Sequence, residues 1–428
     1  MESAVPRHAP QARIVMVIRL LNERVGGAER LFIDTANLFA EAGFEVTCLY
    51  CDAKRGKPFY PISPKVTVVN LHGRSARRAP WYRALDRVAR AYPKVPALAP
   101  IDWAAKNLYF TRRLHAAIRG IEPDLVISFL PPANTPSLIA GWMSGAHVVP
   151  TNHNVPEKDY VSKERWDQNP IDRFLRLQTL HTAARVHVIF PTFAEWFPPR
   201  IREKIVAIQN YVSPEFENVE FPKVRRKEIV AAGRLAPVKA FGDLVDAWAL
   251  LARKHPDWTV KIYGDGPERA RLAQRIAQHG LGGRVQLMGH EANMRDAYVN
   301  AEILAHPALH EGFGLSVAEG LACGLPVVAY ADCAGVNEFV RDGENGLMVD
   351  RARGPAALAD AIDRLIVDRE LREGLRRRAA GSIESFTRAA FLARWAEILD
   401  DVKAARASSR EQASGQVTHG TSLGQPSR

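Results

Sequence analysis

Short β-branched runs alternate with helical apolar spacing along almost the whole chain, and the pattern occurs twice. That alternation limits the fold more than any single motif does. Strand–helix–strand units feed a parallel sheet covered by helices on both faces. In the first half, residues 13–20 (RIVMVIRL) read as a strand, 28–42 as a helix stopping at Gly43, and Glu45–Tyr50 as the next strand. Strand-type runs follow at Val66–Asn70, Leu125–Phe129, 147–151 and 186–190. The second half repeats the plan with Glu228–Ala232, Thr259–Tyr263, 285–288, Ile303–His306 and 326–330, separated by helical patterns such as 241–254 and 268–279. No sequence repeat accompanies this; only the architecture recurs.

At 428 residues the chain is too long for one ordinary core. Two Rossmann-like domains are expected, residues 1–212 and 228–385, joined by the Pro- and charge-rich stretch 213–227. Ligands of such sheets bind outside the carboxyl ends of the strands, so a central cleft between the two is the default site. Residues 386–402 read as a C-terminal helix crossing back to the first domain, and the Ser/Gly/Gln-rich 403–428 as a disordered tail. The longest apolar runs, 325–330 and 186–189, fall far short of the ~18 residues of a membrane span, and the first thirteen residues carry no signal-peptide core. Four cysteines without a dense framework fit a reducing cytosol. Cys48 and Cys51 lack a second ligand pair and read as buried small hydrophobes.

The net charge is +11, unevenly spread: residues 72–119 hold eleven Lys and Arg against Asp86 and Asp102. Such a patch attracts nucleic acid, anionic lipid or an acidic substrate. Within it, at about 100° per residue, Trp81, Leu85, Val88 and Tyr92 share one helix face and Arg83, Arg87 and Arg90 the other. That pattern suits an interfacial membrane helix, and equally a helix packed on its domain with a solvated basic face. No base-stacking aromatics interleave with the charge in a known module, so nucleic acid is not expected as a partner. The concentrated charge favours an anionic membrane surface at the cytoplasmic side and a lipid-linked acceptor.

Four stretches at strand ends carry candidate chemistry. Gly26 and Gly27 open a helix after the first strand, where glycine lets backbone N–H groups approach a phosphate; a plain tight turn explains them as well. Arg234, with Lys239 five residues on, pairs a forked donor with a point charge, suited to one diphosphate; alone, both are ordinary solvated cations. The stretch 263–268 (YGDGPE) lacks the third glycine of a dinucleotide fingerprint and reads as a structural turn. Last, residues 309–330 (LHEGFGLSVAEGLACGLPVVAY) place Glu311 on a glycine loop and Glu319 one turn into a helix that Ser316 is expected to cap. A carboxylate there can accept a ribose diol, and the helix terminus can hold phosphate.

Taken together, EGFGLSVAEGLACGLPVV, GGAER (26–30), AAGRL with Lys239, YGDGP (263–267) and GENGLMV (343–349) resemble, in order and spacing, the retaining glycosyltransferases of family 4. The likeness extends to about residue 400. It implies the GT-B fold, two Rossmann-like domains with parallel sheets facing a central cleft, and a nucleotide diphosphate-sugar donor, with UDP-sugars expected ahead of GDP-mannose. By that resemblance Arg234 and Lys239 neutralise the diphosphate, Gly26 and Gly27 close on it, and Glu319 holds the ribose. The backbone of Phe313, Gly314, Leu315 and Ser316 faces sugar and phosphate, and His290 lines the base. Glu311 and His153 are then catalytic, contacting the transferred sugar and the face where positive charge develops. A front-face displacement, with a diphosphate oxygen taking the acceptor's proton, retains configuration. No Asp-x-Asp occurs in the chain, so neither a metal nor any other cofactor is expected. The acceptor is a lipid-linked or oligosaccharide one. The chain departs from the family pattern at Ala240, at 333–336 (CAGV) and at Tyr211.

Overall fold

The computed structural model describes residues 12–24, 26–54, 56–72, 80–91, 95–162, 166–291 and 293–419, with side chains at all of these except 80–83, 86 and 406–419. Two compact units result: residues 1–208 with 392–428, and residues 209–391.

In the first unit, β1 (Arg13–Ile18), β2 (Glu45–Tyr50), β3 (Val66–Asn70), β4 (Leu125–Phe129), β5 (Val148–Thr151), β6 (Val186–Val188) and β7 (Ile205–Ala207) form a parallel sheet ordered β3-β2-β1-β4-β5-β6-β7. In the second, β8 (Glu228–Ala232), β9 (Thr259–Tyr263), β10 (Val285–Gly289), β11 (Ile303–His306), β12 (Val327–Tyr330) and β13 (Gly346–Val349) are ordered β10-β9-β8-β11-β12-β13, again parallel. Central strands are buried at every position, as in β4, β11 and β12, because helices cover both faces. The edge strands β3 and β10 expose part of theirs. Each buried aliphatic side chain contributes roughly 1.5–3 kcal/mol, so sliding a central strand would expose several at once and register is firmly set.

Both orders reverse at the sheet's first strand. Loops leaving the carboxyl ends of β1 and β4, and of β8 and β11, therefore run to opposite faces and part at a topological switch point.

Three sequence expectations need correction. Residues 209–212 belong to the second unit: the Val212 N–H donates to the Phe386 carbonyl at 2.9 Å, and the Tyr211 ring packs against Phe391 at 5.0 Å. Residues 213–227 are not a free linker either. Phe216 is buried against Tyr298, and the buried Arg225 guanidinium donates to the carbonyls of Ala301 at 3.0 Å and Cys323 at 2.8 Å, with Tyr298 at 3.5 Å. Those carbonyls end the helices Met294–Asn300 and Leu315–Ala322, so one side chain satisfies two helix termini. Third, the last helix runs Arg388–His419, past the expected end at 402. Residues 403–413 contain no glycine or proline to stop it, and Ala, Arg, Glu and Gln favour continuation. Its early residues pack in the first unit, where Trp395 meets Phe39 and stacks on His187 at 5.7 Å. Two strands, β7 and β13, were not expected.

Replacing Arg225 with leucine leaves buried carbonyls without donors. A loss of about 2–4 kcal/mol is expected in denaturant unfolding of the second unit. A change below about 0.5 kcal/mol would show that the guanidinium is not what satisfies those termini.

Candidate functional site

The parallel pairing of β8 with β11, through Ile229 with Ile303 and Val230 with Leu304, sends two loops from one switch point. The first carries Arg234 and Lys239; the second carries Glu311. They are knitted together by backbone: the Leu309 N–H donates to the Val238 carbonyl at 2.8 Å. Further tethers come from the Glu311 N–H to the Ala334 carbonyl at 2.9 Å and from Arg351 Nη2 to the Leu309 carbonyl at 2.7 Å. The divergent stretch 333–336 thus lies directly behind Glu311. The Arg234 loop is fixed to the 263–268 turn by Leu235 N–H to the Asp265 carbonyl and Glu268 N–H to the Leu235 carbonyl, both 3.0 Å. That turn is structural, as its sequence indicated.

Lys239 Nζ forms an ion pair with Glu311 Oε1, and His306 Nε2 stands 3.0 Å from the same oxygen. Burial pushes the Glu311 pKa up, but the Lys239 charge and the His306 contact outweigh it and bring the value down to about 2. His306, in contrast, is held below the usual histidine range by burial and stays neutral. Glu311 Oε2 forms no hydrogen bond among the described residues. Arg234 is exposed and forms no ion pair among them. The two loops therefore offer one guanidinium without an ion pair among the described residues and one unengaged carboxylate oxygen, groups suited to a phosphate and to a hydroxyl.

Ser316 does not cap its helix. The helix is Leu315–Ala322 and its cap residue is Gly314, at φ 86°, a left-handed conformation that glycine adopts without strain. Leu315 and Ser316 are half-buried in the first turn, where backbone N–H groups have no intrahelical acceptor. Phe313 contributes backbone only, since its ring is buried between Phe339 and Phe386. Glu319 is buried one turn on, with the Tyr298 hydroxyl 3.5 Å from its Oε2. His290 is exposed after β10. Ala240 sits at φ 45°, which explains why glycine suits this position and costs the alanine about 1 kcal/mol.

In the first unit, Gly26 caps the helix Gly27–Glu41, and a Cβ on Gly26 would meet the Glu29 carboxylate at 2.3 Å. That loop is anchored by Asp52, whose carboxylate accepts the N–H groups of Leu21, Asn22 and Lys54 at 3.3, 3.2 and 2.9 Å. His153 follows β5, stacked on Phe129 at 4.6 Å, with His187 at 5.5 Å. Burial and His187 hold its pKa well below the usual range, so it is neutral. Its Nε2 lies 2.7 Å from Thr151 Oγ1, whose single proton goes to the Ser128 carbonyl at 2.9 Å. The histidine must therefore donate from Nε2, which leaves Nδ1 as an acceptor with no partner among the described residues. The preceding Asn152 is fixed by Tyr160 and the His187 carbonyl, both at 2.7 Å.

His306, Tyr298, Asp52 and Asn152 were not singled out from sequence. Only His306 left a usable signal, as a polar residue closing an apolar strand. Cys48 and Cys51 are buried, and the Cys48 thiol is pushed up by burial. In the helix Pro80–Ala89, Arg87 and Val88 are exposed and Leu85 half-buried; Arg90, just beyond it, is exposed. The side chains of Trp81 and Arg83, and all of Tyr92, lie outside the described residues.

Residues 212–381 match the glycosyl transferases group 1 family, and residues 25–216 match glycosyltransferase family 4. Among curated relatives, an exopolysaccharide phosphotransferase of Streptomyces coelicolor is 24% identical over 401 residues, 91% of this chain but 41% of that protein. An uncharacterized glycosyltransferase of Haemophilus influenzae is 24% identical, over 81% of this chain and 88% of its own. The chain thus spans well under half of the first of these relatives. Among solved structures, sucrose-phosphate synthase from Thermosynechococcus elongatus superposes with TM-score 0.70 at 19% identity, covering 92% of this chain and all of that one. Anabaena HepE in complex with UDP and glucose gives TM-score 0.65 at 19% identity, covering 91% and 100%.

The Glu311 pKa is lower folded than its ordinary 4.5, so the ionised pair stabilises the fold above that value. The contribution is lost as pH falls from about 4.5 through about 2. Glu311→Gln is expected to cost on the order of 2 kcal/mol near pH 7 in urea unfolding, with the gap to wild type closing across that window. A gap independent of pH would refute the clamp.

Proposed function

We propose a function from one premise: this chain belongs to the group 1, family 4 glycosyltransferases and has their GT-B fold. The reading is a retaining, metal-independent transferase that moves a sugar from a nucleotide diphosphate donor, UDP-linked before GDP-linked. The sugar goes to a glycan or lipid-linked acceptor in cell-surface polysaccharide or glycolipid synthesis. One observation supports it: the neighbouring strands β8 and β11 are followed by loops that carry Arg234, with no ion pair among the described residues, and Glu311, with one carboxylate oxygen unengaged.

A diphosphate leaves readily once its charge is held. Arg234 supplies a forked contact, Lys239 two further N–H donors beyond the one given to Glu311, and the Leu315–Ala322 helix its free N–H groups. As the bond from anomeric carbon to phosphate oxygen breaks, the ionised Glu311 lies beside the developing positive charge. The acceptor oxygen bonds to that carbon, and its proton passes to the departing phosphate oxygen. Alignment of the acceptor supplies the rest of the rate. Glu319 takes the ribose and His290 the base; the Nδ1 of His153 is suited to accept a hydrogen bond from a sugar hydroxyl. The UDP seen with HepE, and the UDP-N-acetylglucosamine named for the streptococcal GtfA relatives, support a uridine donor. The phosphotransferase name of the Streptomyces relative belongs to a protein of which this chain covers 41%, and its activity is not carried over.

Thermal-shift screening against UDP-, GDP- and ADP-sugars, followed by donor hydrolysis, tests this. Arg234→Ala is expected to weaken UDP binding about 10- to 100-fold, and Glu311→Ala to abolish turnover while retaining UDP binding. Full activity in both variants would refute the assignment.

A second reading concerns location. No helix among the described residues is long and apolar enough to cross a membrane. The exposed Arg87, Val88 and Arg90 instead support peripheral association at a cytoplasmic membrane face. Sedimentation with phosphatidylserine-containing vesicles, falling with salt and absent with neutral vesicles, is the expected result. Equal recovery with both vesicle types would exclude it.

A further inference from the structure

The loop that carries Glu311 runs from the end of β11 to the helix Leu315–Ala322, and Gly312 and Gly314 lie within it. Two of its tethers are backbone bonds to other loops, from the Leu309 N–H to the Val238 carbonyl and from the Glu311 N–H to the Ala334 carbonyl. A loop held only by loops moves with them. Keeping Glu311 in one place needs a contact that refers it to the sheet.

Arg351 supplies that contact. It opens the short helix Arg351–Arg353 after β13, and its Nη2 donates to the Leu309 carbonyl at 2.7 Å. The same nitrogen pairs with Asp332 Oδ1 at 2.8 Å, and the guanidinium carbon lies 5.2 Å from the centre of the Tyr330 ring. Tyr330 is the last residue of β12, paired in register with Val349 of β13, and fully buried. Its hydroxyl donates to Asp243 Oδ2 at 2.9 Å, and the Asp243 N–H closes on the carbonyl of Ala240, the neighbour of Lys239, at 2.9 Å. Contacts thus run in a ring from the Lys239 loop through Asp243, Tyr330, Arg351 and Leu309 back to Val238. Within that ring the Arg351 side chain joins the Glu311 loop to the end of β12.

We propose that Arg351 is a positioning residue: by holding the Leu309 carbonyl at the end of β12, it keeps the Glu311 carboxylate where the transferred sugar binds. The inference rests on the glycosyltransferase reading. Removing Arg351 leaves the Tyr330–Asp243 bond, and so the Lys239 end of the ring, in place. UDP lacks the sugar, so the loss falls on kcat and not on UDP affinity.

The test compares wild type with Arg351→Met and Arg351→Lys by melting temperature, UDP calorimetry and UDP-sugar hydrolysis. Methionine keeps an unbranched side chain without a donor; lysine returns a cationic donor to the Leu309 carbonyl but loses the planar stack on Tyr330. Expected are a folded methionine variant with kcat lowered about 5- to 50-fold and UDP affinity within about threefold of wild type, and a lysine variant that recovers most of the rate. If the methionine variant does not fold, Arg351→Gln, neutral and shorter, must show the same split. A folded methionine variant with wild-type kcat overturns the proposal. So does parallel loss of kcat and UDP affinity, or a lysine variant no faster than the methionine one. A wild-type protein that binds no UDP and turns over no nucleotide-sugar overturns the functional reading, and this inference with it.

Discussion

The second unit depends on a strand order that reverses at β8. Two neighbouring parallel strands then deliver their following loops to opposite faces, the arrangement that opens a crevice at the carboxyl ends of such strands. On those loops the chain places Arg234, Lys239 and Glu311. A lysine and a glutamate mostly removed from water are stable there because each neutralises the other, and a neutral histidine from the strand beneath meets the same oxygen. Lys239 and Glu311 thus balance each other before any ligand arrives, while Arg234 has no ion pair among the described residues.

Within each unit, irregular backbone is held by side chains and carbonyls that have no chemical task. Arg225 satisfies two helix ends, Ala334 and Arg351 hold the Glu311 loop, and Asp52 collects three amides in the first unit. These contacts explain how glycine-bearing loops can still present functional groups at fixed places. Loop positions carry function only when a scaffold determines them.

Most strands were legible because the strands of a parallel sheet read as short, largely apolar runs: β2, β3, β4, β8, β9 and β11 match their expected limits. β7 escaped because IVA is only three residues long, and β13 because it is four residues long and begins on a glycine within GENGLMV. Ser316 misled because serine commonly caps helices, whereas here the turn needed a left-handed residue two positions earlier and Gly314 took the position. The segment 213–227 looked like a linker by composition. Its Phe216 and Arg225 are buried, and composition does not reveal where an aromatic or an arginine will find its partners.

The sequence by itself determined the parallel α/β architecture, the residue types of the candidate site and the spacing that made them recognisable, because periodicity and glycine placement act locally. Only the tertiary structure decided that Lys239 and Glu311 are partners, that His306 lies beneath them, and that His153 presents a bare Nδ1. Those facts depend on which strands become neighbours and which hydroxyl has already given its proton. Neither is written in the spacing of residues along the chain.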